Sequence, residues 1–313
     1  MIAPSKPLSI WRITDGKAGH DAQSLGLAGA IAALTSSQTH EIKVPPVAET
    51  LTGLLARKFS TGDTLPDPDL IVGAGHTTHL PMLSAKRARG GRTIVLMKPS
   101  LPLAWFDLCF IPKHDQPPPR ANVQTTRGAL NSIVPSTNKD ADQGLILIGG
   151  PSRHFHWQEA GLMLQIQRIL EDTSVHWRMT DSARTPDSTR HLLKTLRNNN
   201  LTYTPSAESG QGWVAAQLAV ASRTWVSVDS VSMVYEALSS GTAVGLLNIP
   251  IRRSSRIAEA ARQLADEGLV TCFEDWARGR KLEAPQSVFN EAYRCAQLVL
   301  HDFSLPATGR STG

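Results

Sequence analysis

The chain has 313 residues, of which 41% are hydrophobic and 19% charged, and it carries a formal net charge of +5. That length exceeds what one hydrophobic core usually serves, so two domains of about 150 residues are expected, and the ordinary apolar share excludes extensive disorder. The positive balance favours an acidic partner, but aromatic residues are only 5% of the chain and the basic clusters at residues 86–92 and 252–256 contain no interleaved stacking residues; this argues against nucleic acid and for phosphate-bearing small molecules or an anionic membrane surface.

Residues 1–7 contain two prolines and residues 304–313 are small and polar, so both ends are expected to be loose. The opening lacks the apolar stretch of a secretion signal, and no run of about 18 apolar residues follows, which points to the cytoplasm. Apolar strand-like runs then alternate with amphipathic stretches, the pattern of parallel sheets with helical crossovers. Strands are expected at 8–13, 40–44, 69–72, 92–97 and 107–111, with helices between them, one of which spans 21–36 and sets Leu25, Ala28 and Ala32 together with Leu27, Ile31 and Leu34 on a broad buried face. From 112 to 143 the chain is rich in Pro, Asn, Ser and Thr, so a linker is placed near 132–143. Alternation restarts with strands at 144–148, 175–179, 224–228 and 243–247, and helices at 157–170, 187–197, 212–221, 231–239 and 255–266. A last helix at 288–300 comes late enough to pack back on the first domain, giving an expected division into 1–138, 139–287 and 288–313. Cys109, Cys272 and Cys295 are far apart among apolar neighbours and read as packed free thiols in a reducing compartment.

In open parallel sheets ligands bind beyond the carboxyl ends of the strands. Three segments fit that position. In WRITDGKAGHDAQ, Gly16 and Gly19 permit close backbone approach to an anion at a helix start beside Lys17, and His20 can accept a hydroxyl proton with Asp15 or Asp21 orienting it; the alternative makes Asp21 a helix cap and leaves His20 solvated. In IGGPSRHFH, amides around Gly149, Gly150 and Ser152 suit a diphosphate and Arg153 its charge, or the segment is an ordinary tight connection. In TWVSVDSVSMVYEALSSGTAV, Asp229 and Ser230 read as capping side chains, amides near Ser230, Ser232 and Met233 suit a phosphate, and Glu236 lies one turn beyond Ser232 to accept from a ribose diol; otherwise Glu236 is simply exposed. His76 in GAGHTTH is a weaker candidate lining residue, with Thr77 read as a cap and His79 as packed. Neither HTTH nor HFH has an accompanying ligand set, so no metal site and no cofactor are expected.

WRITDGKAGHDAQSLGL, FDLCFIPKHDQPPPRANVQTTRGALNSI, LILIGGPSRHF and VSVDSVSMVYEALSSGTAV occur in this order, and over residues 8–300 the chain resembles the mitochondrial-fission ELM family, whose bacterial members are described as glycosyltransferases. The resemblance implies an α/β GT-B fold, two Rossmann-like domains with parallel sheets facing across a cleft, related to the sugar transferases that build peptidoglycan precursors and lipid A disaccharide. It implies that the Gly16, Gly19 and His20 loop faces the acceptor, and that Gly149, Gly150, Ser152 and Glu236 hold the donor nucleotide. Family members carry an arginine pair in a TSRRTP-like stretch. Here residues 180–186 read TDSARTP, so Arg184 remains and Ala183 replaces its neighbour.

The expected function is inverting transfer from a nucleotide-diphosphate sugar to a saccharide or glycolipid acceptor such as a lipooligosaccharide core, without a metal, with peripheral contact to the cytoplasmic face of the inner membrane. A non-catalytic adaptor recruiting protein partners, as plant members are described, and a nucleotide-sugar epimerase are the alternatives.

Overall fold

The computed structural model describes residues 6–252, 256–287 and 289–307. The extreme ends expected to be loose, residues 253–255 of the second basic cluster and position 288 of the last expected helix lie outside the described residues. The chain divides into two compact units: one takes in the chain up to Ser132 together with the segment from Glu291, and the other is Ile133–Asn290.

The first unit runs β1 (Leu8–Thr14), α1 (Ala18–Leu34), β2 (Ser37–Lys43), α2 (Val47–Ala56), β3 (Leu70–Ala74), α3 (His79–Arg89), β4 (Arg92–Leu96), β5 (Leu108–Pro112) and β6 (Val123–Thr126). The second runs β7 (Asp140–Leu147), α4 (Glu159–Leu170), β8 (His176–Thr180), α5 (Asp187–Thr195), β9 (Leu201–Tyr203), α6 (Trp213–Val220), β10 (Ala221–Ser227), α7 (Val231–Ser240), β11 (Ala243–Leu247), α8 (Arg256–Asp266), β12 (Thr271–Cys272) and α9 (Phe273–Ala277). The closing helix α10 (Glu291–Asp302) belongs to the first unit.

Each unit holds one six-stranded sheet, ordered β2-β1-β3-β4-β5-β6 and β12-β11-β10-β7-β8-β9, and every pairing is parallel. Parallel strands covered on both faces must be apolar in both directions, and alternate residues then feed two cores. Ile10, Val72, Ile94 and Phe110 pack under α1 and α10, whereas Trp11, Ile71, Val95 and Cys109 pack with Met82 and Ala85 of α3. In the second unit Leu145, Val226 and Leu246 join α6, α7 and α8, while Ile146, Trp225 and Met179 join α4 and α5. Strand order reverses between β1 and β3 in one sheet and between β7 and β10 in the other. Loops leaving adjacent strands diverge to opposite faces at such a reversal and open a crevice at the carboxyl edge.

Three expectations about surface and core need correction or completion. On α1, Leu25 and Ala32 are exposed, so its buried face is narrower than expected. The basic cluster at 86–92 is mostly neutralised within the fold: Lys86 and Arg92 meet Asp107 at 2.7 and 3.5 Å, and Arg89 meets Asp67 at 2.5 Å. His79 is packed as expected, edge-on to Phe106 at 5.5 Å. Burial, with His76 nearby, brings its ring down to about 4. No helix among the described residues is long and apolar enough to cross a membrane.

Candidate functional site

At the β1/β3 reversal the first crevice is assembled from two loops. β1 ends at Thr14, and the chain turns through Asp15 and Gly16, whose φ of 74° is a left-handed value that suits glycine. The turn is fixed by Gly16 N–H donating to Thr14 Oγ1 at 3.0 Å and Lys17 N–H donating to Asp15 Oδ1 at 3.2 Å. His20, in the first turn of α1, sets Nδ1 at 3.0 Å from both Asp15 oxygens. From the loop after β3, Thr77 donates its hydroxyl to Asp15 Oδ2 at 2.8 Å. Burial works to raise the Asp15 carboxyl, but the Thr77, His20 and Lys17 hydrogen bonds outweigh it and hold Asp15 below its ordinary value. An ionised Asp15 accepts the Nδ1 proton, which leaves Nε2 of His20 as the basic nitrogen. The imidazole lies against Gly75, where a Cβ would sit 2.3 Å from its Cε1 and φ is 85°. Only glycine leaves room for the ring there.

Asp15, not Asp21, is therefore the carboxylate that His20 contacts. Asp21 does not cap α1 either, since it takes Arg12 Nη1 at 3.0 Å and the Thr14 hydroxyl. Arg12 is 2% exposed and also reaches Glu41 and Ser24, so these charges hold β1, α1 and β2 together. Thr77 caps nothing; its bond to Asp15 crosses 62 residues. Gly19 lies in the first turn of α1 with open space at its Cβ position. Lys17 and His76 are exposed beside the dyad loops, with Lys17 Nζ 3.7 Å from Asp15.

The second crevice lies at the β7/β10 reversal. Asp229 follows β10, and its side chain is fully buried in a pair with Arg184 at 3.0 Å. The same oxygen accepts the Gly150 amide at 2.9 Å, and the Gly149 amide donates to Ser227 Oγ at 2.7 Å. These two amides are already occupied, so the expected use of Gly149 and Gly150 N–H groups as a diphosphate cradle gives way to a packing use. A Cβ on Gly149 would lie 2.3 Å from Asp229 Oδ2, and one on Gly150 would lie 2.4 Å from the Arg184 carbonyl. Arg184 also donates Nη1 to the Gly150 and Pro151 carbonyls at 2.9 and 3.1 Å. Burial raises the Asp229 carboxyl, only partly offset by Gly150, Ser227 and Arg184, and its Oδ1 has no hydrogen bond among the described residues.

Neither Asp229 nor Ser230 caps α7: Asp229 is turned back to Gly150 and Arg184, and Ser230 holds the N-cap position without a side-chain bond. The first amide to bond back to the N-cap is Val234, on the Ser230 carbonyl at 3.1 Å, which leaves the amides of Val231, Ser232 and Met233 uncapped. Ser232 is exposed and Met233 half-buried. One turn on, Glu236 keeps a strip of solvent contact, has no hydrogen-bond partner among the described residues, and is pushed up to about 7 by burial. Ser152 and Arg153 lie on a loop and not at a helix start, because α4 begins only at Glu159. Arg153 is exposed with Nε 3.0 Å from His154 Nε2. No group of three or more His, Cys, Asp or Glu side chains is placed to hold a metal ion among the described residues.

The close contact at Gly150 is testable. Gly150→Ala drives a methyl into the backbone of Arg184, and is expected to destabilise the protein by about 1–3 kcal/mol in denaturant unfolding, whereas Gly19→Ala, with open space, should unfold like the parent. Equal stability of both variants would remove the packing argument.

Two all-parallel six-stranded sheets with flanking helices define the GT-B class of fold. Residues 18–303 match the mitochondrial fission ELM1 family, and the chain belongs to it. Similar solved structures include the UDP-GlcNAc 2-epimerase of Methanocaldococcus jannaschii, with a TM-score of 0.58 at 12% identity over 95% of this chain and 100% of that one. MurG of Acinetobacter baumannii gives 0.52 at 14% identity over 94% and 100%. The Neisseria meningitidis UDP-GlcNAc 2-epimerase bound to UDP-GlcNAc gives 0.51 at 12% over 95% and 100%. At such identities the likeness is one of fold. A comparison with curated protein sequences gives no match.

Proposed function

We propose that the protein is an inverting glycosyltransferase that moves a sugar from a nucleotide-diphosphate donor to a hydroxyl of a cell-envelope glycolipid or lipooligosaccharide core. The observation that carries this reading is Glu236: a carboxyl without a hydrogen-bond partner among the described residues, one turn beyond a helix start with no side-chain cap, is poised to accept two hydroxyl donors from a ribose while the helix amides meet the diphosphate. Arg184 adds a cation beside the same turn. The second unit is thus assigned the donor.

The first unit is assigned the acceptor hydroxyl. His20 Nε2 takes its proton as the oxygen attacks the anomeric carbon, the bond from that carbon to the diphosphate oxygen breaks, and the nucleoside diphosphate leaves with the bonding pair. Asp15 holds the imidazolium that forms. The amides of Val231, Ser232 and Met233 and the Arg184 guanidinium stabilise the departing charge, a task that needs no metal in this reading.

The test is a thermal-shift screen against uridine, guanosine and cytidine diphosphate sugars, followed by product analysis with the donor that stabilises. A glycosylated acceptor supports the proposal. An altered donor sugar without transfer would assign epimerisation, and stabilisation by none of the donors would favour an adaptor.

A further inference from the structure

We infer that α2 is a docking face for an anionic lipid bilayer. Its ten residues carry Val47, Leu51 and Leu55 at i, i+4 and i+8, a spacing that sets them on one stripe. All three lie open to solvent, at 67%, 46% and 82% exposure. The opposite face is occupied: Thr50 is buried, and a Cβ on Gly53 would lie 3.2 Å from Ser84 Oγ of α3. The stripe is thus an outward surplus of aliphatic side chains on a helix already seated in its unit.

The charges around it select the occupant. Lys43 lies just before the helix, and Arg57 and Lys58 follow it directly; all three are exposed and form no ion pair among the described residues. Glu49 is the only acid on α2. A short aliphatic stripe with cations at both ends suits the boundary between anionic headgroups and acyl chains, where the stripe is buried shallowly and each basic residue strengthens binding by roughly fivefold.

The position gives the surface a use. β2 pairs with β1 so that Lys43 lies opposite Thr14, and Val44 N–H donates to the Thr14 carbonyl at 2.9 Å. Asp15 is the next residue. α2 therefore starts at the same strand-end edge as the Asp15–His20 dyad, which suits an acceptor whose lipid remains in the bilayer. That use rests on the glycosyltransferase reading, whereas bilayer binding does not.

Flotation of the full chain with phosphatidylcholine vesicles, with and without about a quarter phosphatidylglycerol, tests the inference. The parent should float with the anionic vesicles, and Leu51→Glu with Leu55→Glu should lower the bound fraction at least tenfold without changing the melting temperature, since both side chains are exposed. Arg57→Glu with Lys58→Glu should abolish the preference for phosphatidylglycerol. Absence of parent binding, or equal binding by the leucine variant, overturns the proposal. So does a parent dimer in light scattering that the leucine variant loses, which would assign the stripe to self-association. Donor-induced thermal stabilisation in the same preparation reports on the glycosyltransferase reading separately, so either can fail alone.

Discussion

His20→Ala is expected to lower sugar transfer by about 10²–10⁴-fold, the usual contribution of a positioned general base, while leaving donor-induced thermal stabilisation intact. The expectation follows from where the proton sits. Asp15 is held ionised by Thr77, His20 and the Lys17 amide, so the Nδ1 proton is drawn toward it and Nε2 is left to act. Asp15→Asn keeps the shape but exchanges an acceptor-only group for one that can donate, and should cost nearly as much by admitting the wrong tautomer. Thr77→Val should have a smaller effect, because it removes one of several bonds to Asp15. Unchanged turnover in His20→Ala eliminates it as the base; parallel loss of donor stabilisation would instead mean that the variant is misfolded or that His20 binds the donor.

Glu236→Gln should weaken donor binding by about 10–100-fold, the value of losing a hydrogen bond to a charged acceptor. It should also change the pH dependence. With the carboxyl held at about 7 by burial, donor affinity in the parent is expected to fall as pH drops through that value, and in Glu236→Gln to stay flat. Stability without ligand should move the other way. The folded state keeps a proton on Glu236 that the unfolded chain releases near 4.5, so this group's contribution is present below about 4.5 and declines as pH rises toward 7. His79 has the opposite sign in part of that window, because its folded ring gives up its proton down to about 4. The informative quantity is therefore the difference in melting temperature between Glu236→Gln and the parent, which should grow in favour of the variant from pH 5 to 8. A constant difference, with unchanged donor binding, removes Glu236 from the site.

Much of the architecture was legible because parallel strands buried on both faces are continuous apolar runs, as in β3, β5 and β11. The short strands β9 and β12 carry too few residues to show a period, and β6 reads as the polar run VQTT. α2 falls among the helices expected between the strands, but its bounds were not legible: its strongest apolar stripe faces outward, so its pattern does not report the packed side. The site was legible in its chemistry but not in its wiring. Asp and Ser before a helix read as caps, yet Asp229 turns to Gly150 and Arg184, partners 79 and 45 residues away. Thr77 has no local sign that it reaches Asp15, and Arg12 looks like an intrusion in an apolar strand until Asp21, Ser24 and Glu41 are seen around it.

The first unit completes its interior with α10, whose Ala292, Cys295, Ala296 and Val299 lie in the same core as Ile10, Leu27 and Ile31. A ribosome delivers those four residues only after all of Ile133–Asn290 has emerged, so the half carrying the dyad must wait with an open face while the continuous half is free to fold. Order of synthesis thus runs opposite to order of completion: the portion made first is the last to be sealed.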